Sequence, residues 1–197
     1  MPQDRVPPTS PEHLTPTQKS AHDFLVSSLQ LHFGPDLNDT FRTQNDNGAL
    51  IGPLAILVQY PILAKPYTDL VTAIARLADL TPDVREIAIL AVGGIHKSGY
   101  ELYAHERLAA SKTTLDHRVI SALASGEKPE GLNEQCEAAY ELSIALAEKK
   151  GPVDQVVFDT AKDALGQDGT IAIVHYVAIY AYTCILLNAV DASVPKD

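Results

Sequence analysis

An all-α fold is what this sequence predicts, and three observations predict it. Apolar residues recur at helical spacing along most of the chain. Helix start and stop signals bound those segments. No run of alternating Val, Ile and Thr set between turn dipeptides reads as a strand. With 197 residues, 46% of them hydrophobic, the chain fits one domain that can bury a substantial core without disulfides or metals.

Residues 1–16 are proline-rich and lack the basic-then-apolar order of a signal peptide. They read as a flexible arm ahead of a single domain at 17–197. A first helix is expected at residues 17–33, with Leu25, Leu29 and Leu31 among its apolar positions and a stop at Gly34-Pro35. A polar loop follows at 36–52. The apolar run 54–58, broken at Tyr60-Pro61, predicts a short buried helix, and another is expected at 66–80.

Thr81-Pro82-Asp83 is a strong helix start: a Thr cap, Pro at the first helical position and an acidic first turn. That helix runs to about Ser98. Gly99 breaks it, a second helix spans 100–112, and two helices joined so tightly should pack as a hairpin. A further helix, at 114–125, is expected to be capped by Thr113 or Thr114 and ended by Gly126. The remaining helices are placed at 133–150, 153–165 and 169–191, separated by Gly151-Pro152 and by residues 166–169.

The formal net charge of −10 argues against nucleic acid or an anionic membrane as partner, since both repel an acidic surface. Cys136 and Cys184 each lie among apolar residues, which suits buried thiols in a reducing, cytoplasmic setting better than a disulfide framework. Residues 169–190 carry no charge and are long enough to span a bilayer. They also contain His175, Asn188 and three tyrosines, with no Lys/Arg asymmetry to orient a span. A core or subunit-interface helix is the preferred reading, and no membrane is expected.

Glu101 and His105 are four residues apart, so on a helix they share one face and can hydrogen-bond. A carboxylate beside an imidazole fixes its tautomer and raises its pKa, which suits proton transfer. From spacing alone, a surface ion pair is the commoner outcome. On the preceding helix Glu86 opens a nearly uninterrupted apolar run to Gly93-Gly94. By itself it reads as a first-turn carboxylate favoured by the helix dipole or paired with an Arg. The two glycines permit close approach of another helix.

Arg85-Glu86, the apolar run, then Tyr100-Glu101, His105 and Ala109 resemble the signature of the carboxymuconolactone decarboxylase family, whose alkylhydroperoxidase-D-like relatives share its fold. The resemblance covers about residues 63–126. It implies an alkylhydroperoxidase-D-like helical bundle that assembles as a homo-oligomer, a trimer or hexamer, with the site in the cleft between subunits. The peroxidase branch carries a Cys-x-x-Cys pair before the His. Aligned on His105, those positions fall on Ser98 and Glu101, and the branch's upstream Glu falls on Glu86. Peroxide reduction needs an attacking thiolate and a resolving thiol, and neither Ser nor Glu supplies one.

The decarboxylase branch keeps Glu and His, and the resemblance implies that His105 moves the proton while Glu86 and Glu101 position or stabilise it. That chemistry needs no cofactor. The expected function is a small-molecule lyase or isomerase acting on a carboxylated or enolisable cyclic substrate, with Arg85, Ser98, Tyr100 and His96 as substrate-side candidates. The alternative is an oligomer that has lost catalysis and binds a small ligand or partner. A metal site built from Glu101, His105, His96 and His175 is not expected. The zinc-protease helix pattern would need a second His at Ala109, and the di-iron pattern wants Glu and His three apart.

Overall fold

Thr15 and Gln18 cap the first helix reciprocally, the Thr15 hydroxyl accepting from the Gln18 amide while the Gln18 side chain accepts from the Thr15 amide. This helix, α1, spans Pro16–Phe33 and ends at Gly34 (φ 87°). The computed structural model describes residues 4–34 and 37–196. The Pro35 half of the expected stop, and the first three residues of the arm, lie outside them. Of the arm, Arg5 donates to the carbonyls of Val190 (2.8 Å) and Ala189 (2.7 Å) at the C-terminal end of the last helix.

The short α2 spans Leu37–Thr40 and α3 spans Pro53–Gln59, the buried helix expected over 54–58. A 3-10 turn, Pro61–Leu63, leads into α4, Ala64–Ile74. The expected helix to Leu80 therefore stops early, residues 75–78 closing as turns. The site hairpin follows as α5, Pro82–His96, and α6, Gly99–Lys112, with the turn made by Lys97 in the left-handed conformation (φ 50°).

The next helix, α7, starts later than expected, at His117–Ala124, and its cap is Asp116 rather than Thr113 or Thr114. The reason is chemical. Asp116 accepts from two amides, Arg118 (2.8 Å) and Val119 (3.0 Å), whereas Thr114 donates its amide and hydroxyl to Asp83 at the start of α5. The eighth helix, α8, spans Glu134–Glu148 behind an Asn133 cap. The two expected C-terminal helices form one element, α9, Gln155–Val190, interrupted by Gly166 at φ 71° and ψ 170°, a conformation that only glycine adopts without strain.

Among the described residues there is no strand, only an antiparallel bridge between Gln44 and Leu50. The all-α expectation holds. At the centre lies α5, buried from Ile87 through Gly94 and packed against α6, α7, α8 and α9. Gly94 makes the α7 contact possible: a Cβ there would lie 2.2 Å from the Leu123 carbonyl oxygen. A satellite core under α1, α3 and α4 gathers Leu25, Leu50, Leu57 and Val58.

Helix α9 is long and apolar enough to cross a membrane, with a window of mean hydropathy 1.9, of which 44% is buried inside the fold. Its Ala172, Ile173, Val177 and Leu187 are core residues, so packing against α5 and α8 accounts for one face of its apolarity.

Candidate active site

Because α5 and α6 run back along one another, the start of α5 lies beside the second turn of α6. There Glu86 Oε2 sits 2.9 Å from His105 Nδ1. From one turn earlier on α6, Glu101 Oε1 approaches His105 Nε2 at 3.3 Å. The side chains of His105, Glu86 and Glu101 are only 12%, 14% and 6% exposed, so this is not a solvated surface pair.

An imidazole flanked by a carboxylate on each nitrogen satisfies both only as imidazolium, since a neutral ring would turn a lone pair toward one of them. Burial by itself disfavours the charged ring. The charge of Glu86 and the hydrogen bonds from Glu101 and Glu86 overrule it and raise the His105 pKa to about 10.

Helix α9 covers the triad. The Tyr180 ring meets the His105 ring edge-on with centroids 5.1 Å apart, and Tyr176 stacks beside Tyr180 at 6.2 Å. Arg85, the first of the substrate-side candidates, lies close to the Tyr176 hydroxyl. From α4, Tyr67 reaches across to Thr183, hydroxyl to hydroxyl at 2.8 Å.

The other candidates divide. Ser98 occupies the cap position of α6, yet its side chain caps nothing. It is fully buried, and its hydroxyl finds no well-formed hydrogen bond among the described residues. Its neighbour is the thiol of Cys184. Tyr100 turns away from His105, its hydroxyl donating to the Arg42 carbonyl at 2.9 Å, and with Tyr103 it pins the 41–52 loop onto α6. His96 lies half-buried at the far end of α5, where its carbonyl accepts from Asn188 (2.7 Å). Neither Tyr100 nor His96 bonds to the triad.

Sequence reasoning did not place Cys184, Tyr180, Tyr176 or Thr183 here. A signal was present: residues 176, 180, 183 and 184 form one stripe of hydroxyls and a thiol at helical spacing along a mostly apolar run. The Cys184 thiol is nonetheless poor as a nucleophile. Burial, reinforced by the Glu101 charge, pushes its pKa up to about 12 despite the neighbouring Ser98 hydroxyl. Cys136, raised to about 11 chiefly by burial, lies near Asp83 instead. Among the described residues, no three His, Cys, Asp or Glu side chains are arranged to hold a metal ion.

No family model matches the chain, and no curated protein does. Solved structures do match. The apo debrominase Bmp8 superimposes with a TM-score of 0.63 at 18% identity, over 82% of this chain and 87% of that one. A cysteine-to-alanine variant of Bmp8 in complex with 2,3,4-tribromopyrrole gives 0.62 at 20% identity, over 82% and 86%. This chain shares that fold. At such identity the likeness speaks for the helical architecture alone.

Proposed function

We propose that the chain is a cofactor-independent acid/base enzyme acting on a small enolisable cyclic substrate, with His105 as the proton donor. The observation that carries this is the buried carboxylate–imidazole–carboxylate arrangement, at 2.9 and 3.3 Å. With its pKa near 10, about one ring in a thousand is neutral at pH 7. His105 is therefore an acid and a fixed positive charge before it is a base.

Such a group suits a reaction that generates an enolate. When a carbon–carbon bond to carboxyl breaks, or a C–H proton leaves to a carboxylate, the electron pair moves onto the carbonyl oxygen. The imidazolium stabilises that charge and delivers a proton to carbon. Nε2 is the nitrogen best able to do so, because its 3.3 Å contact with Glu101 is an ion pair looser than the 2.9 Å hydrogen bond between Nδ1 and Glu86 and yields more readily to substrate. Glu86 acts through the ring, as a positioning residue. Glu101 is placed to receive or return the proton. Arg85 supports a carboxylated substrate, the finer form of the same reading.

The test is a panel of cyclic β-keto acids and enones incubated in D2O and followed by NMR. The wild-type protein should incorporate deuterium at the carbon next to the carbonyl, or release carbon dioxide, for at least one compound. His105→Ala should slow that compound's reaction by about a hundredfold or more. Equal rates in two folded proteins would overturn the assignment.

A thiol-based reading has one observation in its favour, the placement of Cys184 beside Ser98 and Glu101, and the structural likeness to a debrominase gives it a context. The protonated, fully buried state of that thiol weighs against it.

Self-association belongs to the same proposal. The outer face of α9 presents His175, Ala178, Tyr182 and Ile185, all exposed, with no Asp, Glu, Lys or Arg among them, the last two at 40% and 56%. Light scattering after gel filtration should give a mass of several subunits, reduced by Ile185→Lys. A wild-type monomer at micromolar concentration would overturn it.

A further inference from the structure

Six tyrosines lie on α4, α6 and α9, and three of them have hydrogen-bonded hydroxyls. Tyr67 pairs with Thr183 at 2.8 Å, Tyr100 with the Arg42 carbonyl at 2.9 Å, and Tyr103 with the Arg42 amide at 3.1 Å. Of the other three, Tyr180 is the one whose ring meets His105, and among the described residues its hydroxyl makes no hydrogen bond. Tyr180 is only half-buried, so its uncommitted hydroxyl is open to a group that arrives beside His105.

Its surroundings say what that is. The hydroxyl lies within electrostatic reach of both Glu86 and Glu101, and burial and those charges hold it firmly in the protonated form. It therefore serves as a donor. Its neighbour across the edge-on ring contact is the imidazolium, the other donor of the site, presented from a different helix.

We propose that Tyr180 is a catalytic residue which donates a hydrogen bond to the oxygen of an enolate or phenolate-like anion held against His105. The two donors converge from α6 and α9 on one oxygen, the arrangement that stabilises developing oxyanion charge. The half-buried Tyr180 ring, held at 23° to the buried Tyr176 ring, gives the site an aromatic wall, which fits a planar, conjugated ring. The inference rests on the acid/base reading and narrows its substrate class to compounds whose reacting state is a delocalised oxygen anion.

Titration of the full-length protein with 4-nitrophenol at pH 8, read by the nitrophenolate absorbance, tests it. Wild type should bind the anion with a shifted absorbance maximum. Tyr180→Phe keeps the ring contacts and should weaken binding about tenfold or more, while binding of nitrobenzene, which has no oxygen anion, should not change. Replacing Tyr180 by 3,5-difluorotyrosine, a stronger donor of the same shape, should tighten nitrophenolate binding. If Tyr180→Phe, or the fluorinated protein should the first not fold, binds as wild type while His105→Gln loses the anion, the Tyr180 role is wrong and the acid/base reading stands. If wild type binds no nitrophenolate, both fall.

Discussion

The bond from His105 to Glu86, 2.9 Å between Nδ1 and Oε2, ties α6 to α5 across the site hairpin, so one contact both closes the structure and charges the imidazole. Removing only the charge of Glu86 separates the two effects. Glu86→Gln leaves an acceptor of the same shape and takes away the largest interaction favouring imidazolium. The His105 pKa should fall by at least one unit from about 10, as followed by 15N NMR of the ring nitrogens. An unmoved titration would mean that Glu86 does not set the charge state.

Stability should follow the same proton. The folded-state pKa of about 10 lies above the ordinary His value of 6.5, so the folded protein holds a proton that the unfolded chain gives up earlier. The resulting stabilisation is fully present below about pH 6.5 and is lost as pH rises toward 10, by several kcal/mol at most. Urea unfolding at pH 6, 8 and 10 should show a progressive fall that Glu86→Gln flattens. Constant stability over that range would contradict the assignment.

Much of the fold was legible because its signals are local. Thr81 caps and Pro82 opens α5 where the sequence says, α8 starts within a residue of the expected Asn133, and the Lys97–Gly99 turn falls at the expected break. Boundaries went astray where a distant group intervened: Asp83 takes Thr114 and leaves the α7 cap to Asp116. In the site, Glu101 with His105 follows from helical spacing, and Glu86 came from the resemblance. The contribution of α9 was hidden, because residues 75 or more positions away in sequence meet the hairpin only through tertiary packing, and nothing in the spacing of Tyr180 or Cys184 says which helix they will face.

The hairpin itself can be probed at its paired glycines. A Cβ on Gly94 would stand 2.2 Å from the Leu123 carbonyl oxygen, a backbone atom that moves only if α7 moves. On Gly93 it would meet the Leu102 side chain at 3.0 Å, which can rotate. Gly94→Ala should cost roughly 2–4 kcal/mol or more, and Gly93→Ala distinctly less. Equal unfolding midpoints for the two variants would show that α5 does not bear on α7 as described.

The Cys184 thiol offers the sharpest division between acid/base and thiol chemistry. A nucleophilic cysteine needs thiolate and access, and Cys184 has neither: it is 0% exposed, and with a pKa of about 12 about one thiol in ten thousand is ionised at pH 8. Glu101, which helps to hold it protonated, is the same carboxylate that bonds the imidazolium, so the arrangement that charges His105 also quiets the sulfur. Iodoacetamide or dilute peroxide at pH 8 should therefore leave Cys184 unmodified in the native protein, as read by mass spectrometry, and react with it once the chain is unfolded in guanidinium. Glu101→Gln should raise the native rate without exposing the residue. Rapid alkylation of native wild-type Cys184 would return thiol chemistry to the site and displace proton transfer as its best reading.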